Sequence, residues 1–295
     1  MFERQIKIPE PEEIKDMAPM PDSLKKIKAE RDKLITDVIT GKSDKFVVIV
    51  GPCSAHEPAP VLDYVERLGK LNEKVKDKLV LVPRIYTNKP RTKGVGYKGM
   101  FSQPDPTKGE DILKGILTIR KLNVQAIEAS GLSAADEMLY PANYGYVDDL
   151  LSYVAVGARS SENQLHRLVA SGIDGPVGIK NPMSGSILVM LNSIYAAQSG
   201  QVFKLNGWQV KTYGNPLSHA ILRGAVDGND IPNFHYEFVM QVAEGYAKSE
   251  LKNPAIIIDA NHSNSGKKFK QQIRICEEVM QNRIYDKDFK RIVKG

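Results

Sequence analysis

Four cations in this 295-residue chain each close a short apolar run: Arg84 after residues 79–82, Arg159 after 154–156, Lys180 after 176–179 and Arg223 after 219–222. Arginine suits bidentate contact with phosphate or carboxylate, and lysine serves as a point charge. Four cations on one face, with few acids beside them, would repel unless an anion sat between them. A second basic group, Asn88-Lys89-Pro90-Arg91-Thr92, adds two cations and a hydroxyl on a stretch stiffened by proline. We read it as a second anion site, so two phosphorylated substrates are expected. Cys53, directly after Gly51-Pro52, could be a metal-ligating or nucleophilic thiolate, or a small buried thiol. His262, in Asp259-Ala-Asn-His-Ser-Asn-Ser, offers an imidazole at the end of a further run, and Glu137 could ligate a metal or orient the cations. Thiol plus imidazole is half a site, because a metal normally takes at least three protein ligands.

Other chemistries fail on spacing. Gly266-Lys267 lacks the first glycine and the final Ser/Thr of a P-loop, and His56-Glu57-Pro58 has no second histidine at the zinc-protease spacing. There is no G-x-S-x-G elbow. Cys276, within Arg-Ile-Cys-Glu-Glu, reads as a structural thiol, and the aromatic stretch 140–146 as packing at a helix start.

The elements that must position these groups are seven apolar runs. They lie at 46–50, 79–82, 134–137, 154–156, 176–179, 219–222 and 255–258, each leading into one of the residues above. Helical periodicity alternates with them over roughly 58–75, 109–130, 143–152, 161–171, 184–198, 235–250 and 266–282. Parallel strands carrying working residues at their C-terminal ends describe an α/β fold of the (β/α)8 TIM-barrel type. Residues 46–295 would form it, behind an N-terminal arm and helix over 1–45. Residues 1–20 read as an extended arm and 22–40 as a helix stopped by Gly41. Residues 86–108, with Gly94, Gly96, Gly99 and three prolines, predict a long functional loop. Residues 201–217 predict an inserted β-hairpin turning at Asn206-Gly207. After the last helix, Ile292-Val293 has the place of an eighth strand. The chain therefore holds about seven of eight βα units and is expected to be C-terminally incomplete, since a seven-stranded barrel cannot close.

Composition narrows the partners. A hydrophobic content of 42% suffices for one large core. The net charge of +6 is spread along the chain rather than gathered in a stripe, which favours small acidic substrates over nucleic acid. No apolar run approaches the roughly 18 residues of a membrane span, and the N-terminus lacks an apolar signal core. Two cysteines in the whole chain suit a reducing compartment, so a cytoplasmic enzyme is expected.

Six segments, Gly51-Pro-Cys-Ser, Lys89-Pro-Arg-Thr, Gly157-Ala-Arg, Gly178-Ile-Lys-Asn, Ile221-Leu-Arg-Gly and Asp259-Ala-Asn-His, fall in order at the strand ends. Together they resemble the class I 3-deoxy-D-arabino-heptulosonate-7-phosphate (DAHP) synthases, over about residues 46–293. The resemblance implies condensation of phosphoenolpyruvate with erythrose 4-phosphate, the first step of the shikimate pathway toward aromatic amino acids. It implies that Arg84, Arg159, Lys180 and Arg223 hold phosphoenolpyruvate, with Glu137 a pocket acid beside them. Lys89, Arg91 and Thr92 would hold the sugar phosphate, and Lys89, Cys53 and His262 would share the catalytic work. Cys53 and His262 would be two of four ligands to a divalent metal, for which Mn, Fe, Co or Zn each suit a thiolate–imidazole–carboxylate set. The remaining Glu and Asp ligands are expected beyond Gly295. A homo-oligomer is expected, with the arm and first helix available for subunit contact. Two rivals are the sister synthase that makes 3-deoxy-D-manno-octulosonate 8-phosphate and a non-catalytic barrel that binds phosphometabolites. The Lys-Pro-Arg-Thr loop speaks against the first. The filled catalytic positions speak against the second.

Overall fold

The computed structural model describes residues 1–91 and 93–295, so Thr92 lies outside the described residues. The chain forms two compact units, residues 1–32, 49–77 and 81–152 in the first and 33–48, 78–80 and 153–295 in the second.

The first unit contains α1 (Pro11–Met17), the start of α2 (Asp22–Ile39), the end of β1 (Phe46–Val50), α3 (Pro58–Val75) and most of β2 (Leu79–Pro83). It continues with α4 (Ile112–Ser130), β3 (Ala134–Glu137), a 3-10 helix (Pro141–Tyr146) and the start of β4 (Leu151–Val156). Backbone pairing continues past the strand ends, where Arg84 N donates to Val50 O at 2.9 Å and Ile85 N to Ala135 O at 2.9 Å. Asp111 caps α4 by accepting from Lys114 N at 3.0 Å, and Gly131 ends it in the left-handed conformation. Residues 86–108 hold no helix or strand among the described residues, as the glycine and proline content predicts.

Two expectations are corrected in this unit. The arm is not simply extended, because Pro11–Met17 is a helix with a capping box between Glu10 and Glu13. The helix expected over 143–152 is a short 3-10 helix followed by β4. The run Leu-Ser-Tyr-Val-Ala-Val is buried at every position, and its β-branched and aromatic side chains favour a strand.

The second unit holds the rest of β4, then α5 (Gln164–Ala170), β5 (Val177–Lys180), α6 (Ile187–Gln198), β6 (Val202–Leu205) and β7 (Trp208–Lys211). Then come β8 (Ser218–Leu222), β9 (Ala225–Asp227), β10 (Asn229–Ile231), α7 (Tyr236–Lys248) and β11 (Ile256–Ile258). The short α8 (His262–Ser265), α9 (Gln271–Tyr285) and α10 (Lys287–Ile292) complete it. Strands β4, β5, β8 and β11 pair in parallel, with Val154 opposite Val177, Ile179 opposite Ala220 and Ile221 opposite Ile257. β5 and β8 are buried at every residue, which accounts for their mostly apolar or small residues, Lys180 and His219 apart. Asn206 and Gly207 both take positive φ, the requirement of a tight hairpin turn, so β6 and β7 form the predicted hairpin. A second hairpin, β9–β10 turning at Gly228, was not foreseen. Ile292 closes α10 rather than opening a strand. The extended backbone starts at Val293, bridged in parallel to Ile256, and Lys294 O accepts from Val47 N at 2.8 Å.

The interior of this unit holds a buried tyrosine–histidine pair. Tyr153 OH lies 2.8 Å from His219 Nε2, and His219 Nδ1 lies 2.8 Å from Leu217 O. The backbone carbonyl requires a proton on Nδ1, so Nε2 accepts from the tyrosine. Gly178 makes room for the pair, because a Cβ there would sit 2.0 Å from the Tyr153 hydroxyl. No helix among the described residues is long and apolar enough to cross a membrane.

Candidate active site

In the first unit, Arg84 follows β2 and points its guanidinium at the Gly51-Pro52-Cys53 turn. Nη1 donates to Pro52 O at 3.0 Å and Nη2 to Cys53 O at 3.3 Å, while the group lies 3.9 Å over the Tyr86 ring. The turn can come this close only because residue 51 is glycine, since a Cβ would meet Arg84 O at 2.4 Å. Cys53 is exposed. The Lys89 ammonium reaches its sulfur at 3.2 Å and Ser54 Oγ at 3.5 Å. Thus the two catalytic candidates Cys53 and Lys89, 36 residues apart, come into contact. Arg91 is exposed and its Nε donates to Tyr97 O at 2.7 Å, which folds the loop back on itself.

Beside the half-buried Glu137 lies a residue that sequence reasoning passed over. Asp136 is 5% exposed and accepts from Thr87 N at 3.0 Å, from Glu137 N at 2.7 Å and from the Thr87 hydroxyl. Burial pushes its carboxyl up to about 7, against the pull of those hydrogen bonds.

In the second unit, Lys180 ends β5 and is buried. Its ammonium is 3.6 Å from Asp259 Oδ2, and that same oxygen is 2.7 Å from His262 Nδ1. This corrects the expectation that few acids accompany the cations. Burial alone would raise Asp259, but the bonds from His262 and the Asn261 amide and the charge of Lys180 hold it well below the usual carboxylate range. Arg223, only 4% exposed, donates through Nη1 to Ser263 Oγ at 3.1 Å. Its Nε is buried with no hydrogen-bond partner among the described residues. Burial lowers the guanidinium from its ordinary value and Arg159 adds to this, while Asp259 and Asp230 oppose it. Arg159 itself is exposed.

Three buried amides lock these strand ends. Asn181 Oδ1 accepts from Arg223 N at 2.9 Å and Asn233 Nδ2 at 3.1 Å, while its Nδ2 donates to Pro182 O at 2.9 Å and Gly224 O at 2.8 Å. Asn233 Oδ1 accepts from Gly224 N at 2.7 Å, and Asn233 N donates to Asn264 Oδ1 at 2.8 Å. Asn264 Nδ2 then bonds Leu222 O at 3.0 Å and Asp259 O at 2.9 Å. The backbones of Arg223 and Asp259 are therefore fixed from the side by groups with no freedom left. The only sequence signal for Asn181 was its place directly after Lys180.

For a metal, the donor chemistry fits in part. With Nδ1 tied to Asp259, His262 keeps Nε2 as its free lone pair, the arrangement that commonly accompanies metal-binding histidines. Cys53 offers an exposed sulfur. Among the described residues no three His, Cys, Asp or Glu side chains group as a metal site.

Comparison with known proteins fits this geometry. The model of the DAHP synthetase I family matches residues 20–285. The Phe-sensitive phospho-2-dehydro-3-deoxyheptonate aldolase of Escherichia coli K12 is 39% identical over 284 residues, covering 91% of this chain and 79% of that one. The Tyr-sensitive enzyme of the same strain is 36% identical over 280 residues, covering 92% and 75%. A solved phospho-2-dehydro-3-deoxyheptonate aldolase from Francisella tularensis SCHU S4 superposes with a TM-score of 0.89 at 30% identity, covering 96% of this chain and 83% of that one. This chain belongs to the DAHP synthetase I family, and it is an enzyme.

Proposed function

We propose that this enzyme condenses phosphoenolpyruvate with erythrose 4-phosphate to give DAHP and inorganic phosphate, in the cytoplasm, as a homo-oligomer. The observation that carries the reading is the Arg223 guanidinium: buried, with its backbone amide held by Asn181, within the field of Arg159, and with one donor unused. A buried donor without a partner costs free energy that an anion would relieve. Family membership supplies the anion's identity. We further take the parallel strands as parts of a (β/α)8 barrel, with residues 293–295 in the position of an eighth strand's beginning.

In this reading Arg159, Lys180, Arg223 and Arg84 bind the phosphate and carboxylate of phosphoenolpyruvate, with Glu137 as the acid beside them. Lys89, Arg91 and Thr92 bind erythrose 4-phosphate, and the Lys89 ammonium orients its aldehyde oxygen. C3 of phosphoenolpyruvate attacks the aldehyde carbon, water adds at C2, and loss of phosphate leaves the 2-keto product. Cys53 and His262 would hold a divalent metal (Mn, Fe, Co or Zn), which when bound polarises the aldehyde. The protein's own contribution is to hold two mutually repelling anions close and aligned, which positioning and fixed charge achieve.

Calorimetric titration of phosphoenolpyruvate, erythrose 4-phosphate and arabinose 5-phosphate tests the reading. Binding of the first two, with arabinose 5-phosphate much weaker, is expected. Failure to bind phosphoenolpyruvate, or a preference for arabinose 5-phosphate, would overturn it.

A further inference from the structure

The loop that carries Lys89 and Arg91 is anchored by a buried contact that the proposed chemistry does not use. Thr87 is 1% exposed, and both its amide and its hydroxyl are engaged by the Asp136 carboxyl at the end of β3. Asp136 is itself tied to the next backbone amide, Glu137 N. Thr87 in turn holds the far side of the loop, since its carbonyl accepts from Phe101 N at 3.1 Å. Two residues on, Lys89 N donates to Lys98 O at 2.9 Å. The returning segment passes so near that a Cβ on Gly99 would lie 2.5 Å from Thr87 O and 2.8 Å from Lys89 N. Each tie runs through Thr87 or its immediate neighbours, and Thr87 is tied to the strand by Asp136.

We infer that Asp136 is a positioning residue for sugar-phosphate binding: through Thr87 it fixes the backbone from which Lys89 reaches Cys53 and Arg91 folds onto Tyr97. It touches no reacting atom in this arrangement. Its carboxyl oxygens are occupied by two amides and a hydroxyl, and Glu137, its neighbour on the strand, is left as the acid of the pocket. An acid is not required for the role. A threonine hydroxyl donates or accepts, so asparagine at 136 would keep both amide contacts and give its NH2 to the Thr87 oxygen.

The identity of the sugar phosphate rests on the proposed function, and the test separates the two. Hydrogen exchange is followed at the amides of residues 87–101 without ligand, and dissociation constants are measured for erythrose 4-phosphate and phosphoenolpyruvate. In D136A and T87V, amides 87–101 should exchange faster. The dissociation constant for erythrose 4-phosphate should rise about tenfold, the size of one lost buried hydrogen-bonded link. That for phosphoenolpyruvate should stay within about twofold. D136N should recover most of the loss. Unchanged exchange in D136A overturns the inference, as does equal weakening of both ligands or no recovery in D136N. Should the unaltered protein bind no erythrose 4-phosphate, the substrate reading fails, while the exchange data still decide the role of Asp136.

Discussion

Asp259 and His262, three residues apart at the end of β11, share a contact of 2.7 Å between Oδ2 and Nδ1. The imidazole and the charge of Lys180 hold the carboxylate ionised against the cost of its burial. It therefore sets which ring nitrogen of His262 carries the proton, and leaves the Nε2 lone pair for the metal of the proposed function.

That contact predicts a metal phenotype at a residue that is not itself a proposed ligand. D259N should weaken divalent-metal binding by about 10- to 100-fold, the usual effect of losing the partner of a metal-binding histidine. Competition against a chromogenic chelator measures it. Unaltered metal affinity would mean that His262 is oriented by something else.

Cys53 separates metal from anion. C53A should abolish metal-dependent turnover while phosphoenolpyruvate affinity stays within about twofold, because Lys180 and Arg223 belong to other strand ends. Full retained activity would make Cys53 a structural thiol.

Arg223 and Asn181 should differ in kind. R223M removes a charged donor to the anion and should raise the phosphoenolpyruvate dissociation constant by about 100-fold. N181A strands several buried backbone groups and should lower stability by about 3 kcal/mol in urea unfolding, whether or not ligand is present. An N181A protein of normal stability would show that the amide network is not what fixes the Arg223 backbone.

Acid should destabilise this protein through His219. Burial lowers its pKa to about 4 from the ordinary 6.5. Between those values the unfolded chain takes up a proton that the folded chain refuses, so stability falls as pH drops from about 6.5 to 4 and this contribution then levels off. Urea midpoints at several pH values, compared with H219Q, test it. An identical slope in both proteins would place the acid sensitivity elsewhere.

The strands were legible because a buried parallel strand needs a largely apolar run, and each run leads into a residue with chemistry, of which Lys180 and Arg223 are themselves buried. Asn206-Gly207 was legible because few residue pairs tolerate positive φ twice. The short 3-10 helix was not: residues 143–152 contain apolar side chains at spacings that suit a helix, and burial of β4 on every face decided the matter. Asp136 stayed hidden beside Glu137, since a sequence shows two adjacent acids and not which one a strand turns inward. The three asparagines lie at 181, 233 and 264 with no common period. Their relation exists only after β5, β8 and β11 are laid side by side. The acid partner of Lys180 was missed for the same reason.

Arg120 has a practical bearing. It is wholly buried, and its guanidinium is divided among Asp149, at 2.7 and 2.9 Å, the carbonyl of Tyr146 at 2.7 Å and the carbonyl of Ala18 at 2.8 Å. One of those acceptors belongs to the segment just after α1. Cloning boundaries drawn at the first long helix, or a protease that trims the leading residues, would uncover a cation in the interior and forfeit part of its solvation. The opening stretch is thus an internal component delivered from outside, and purification tags belong ahead of it, never in its place.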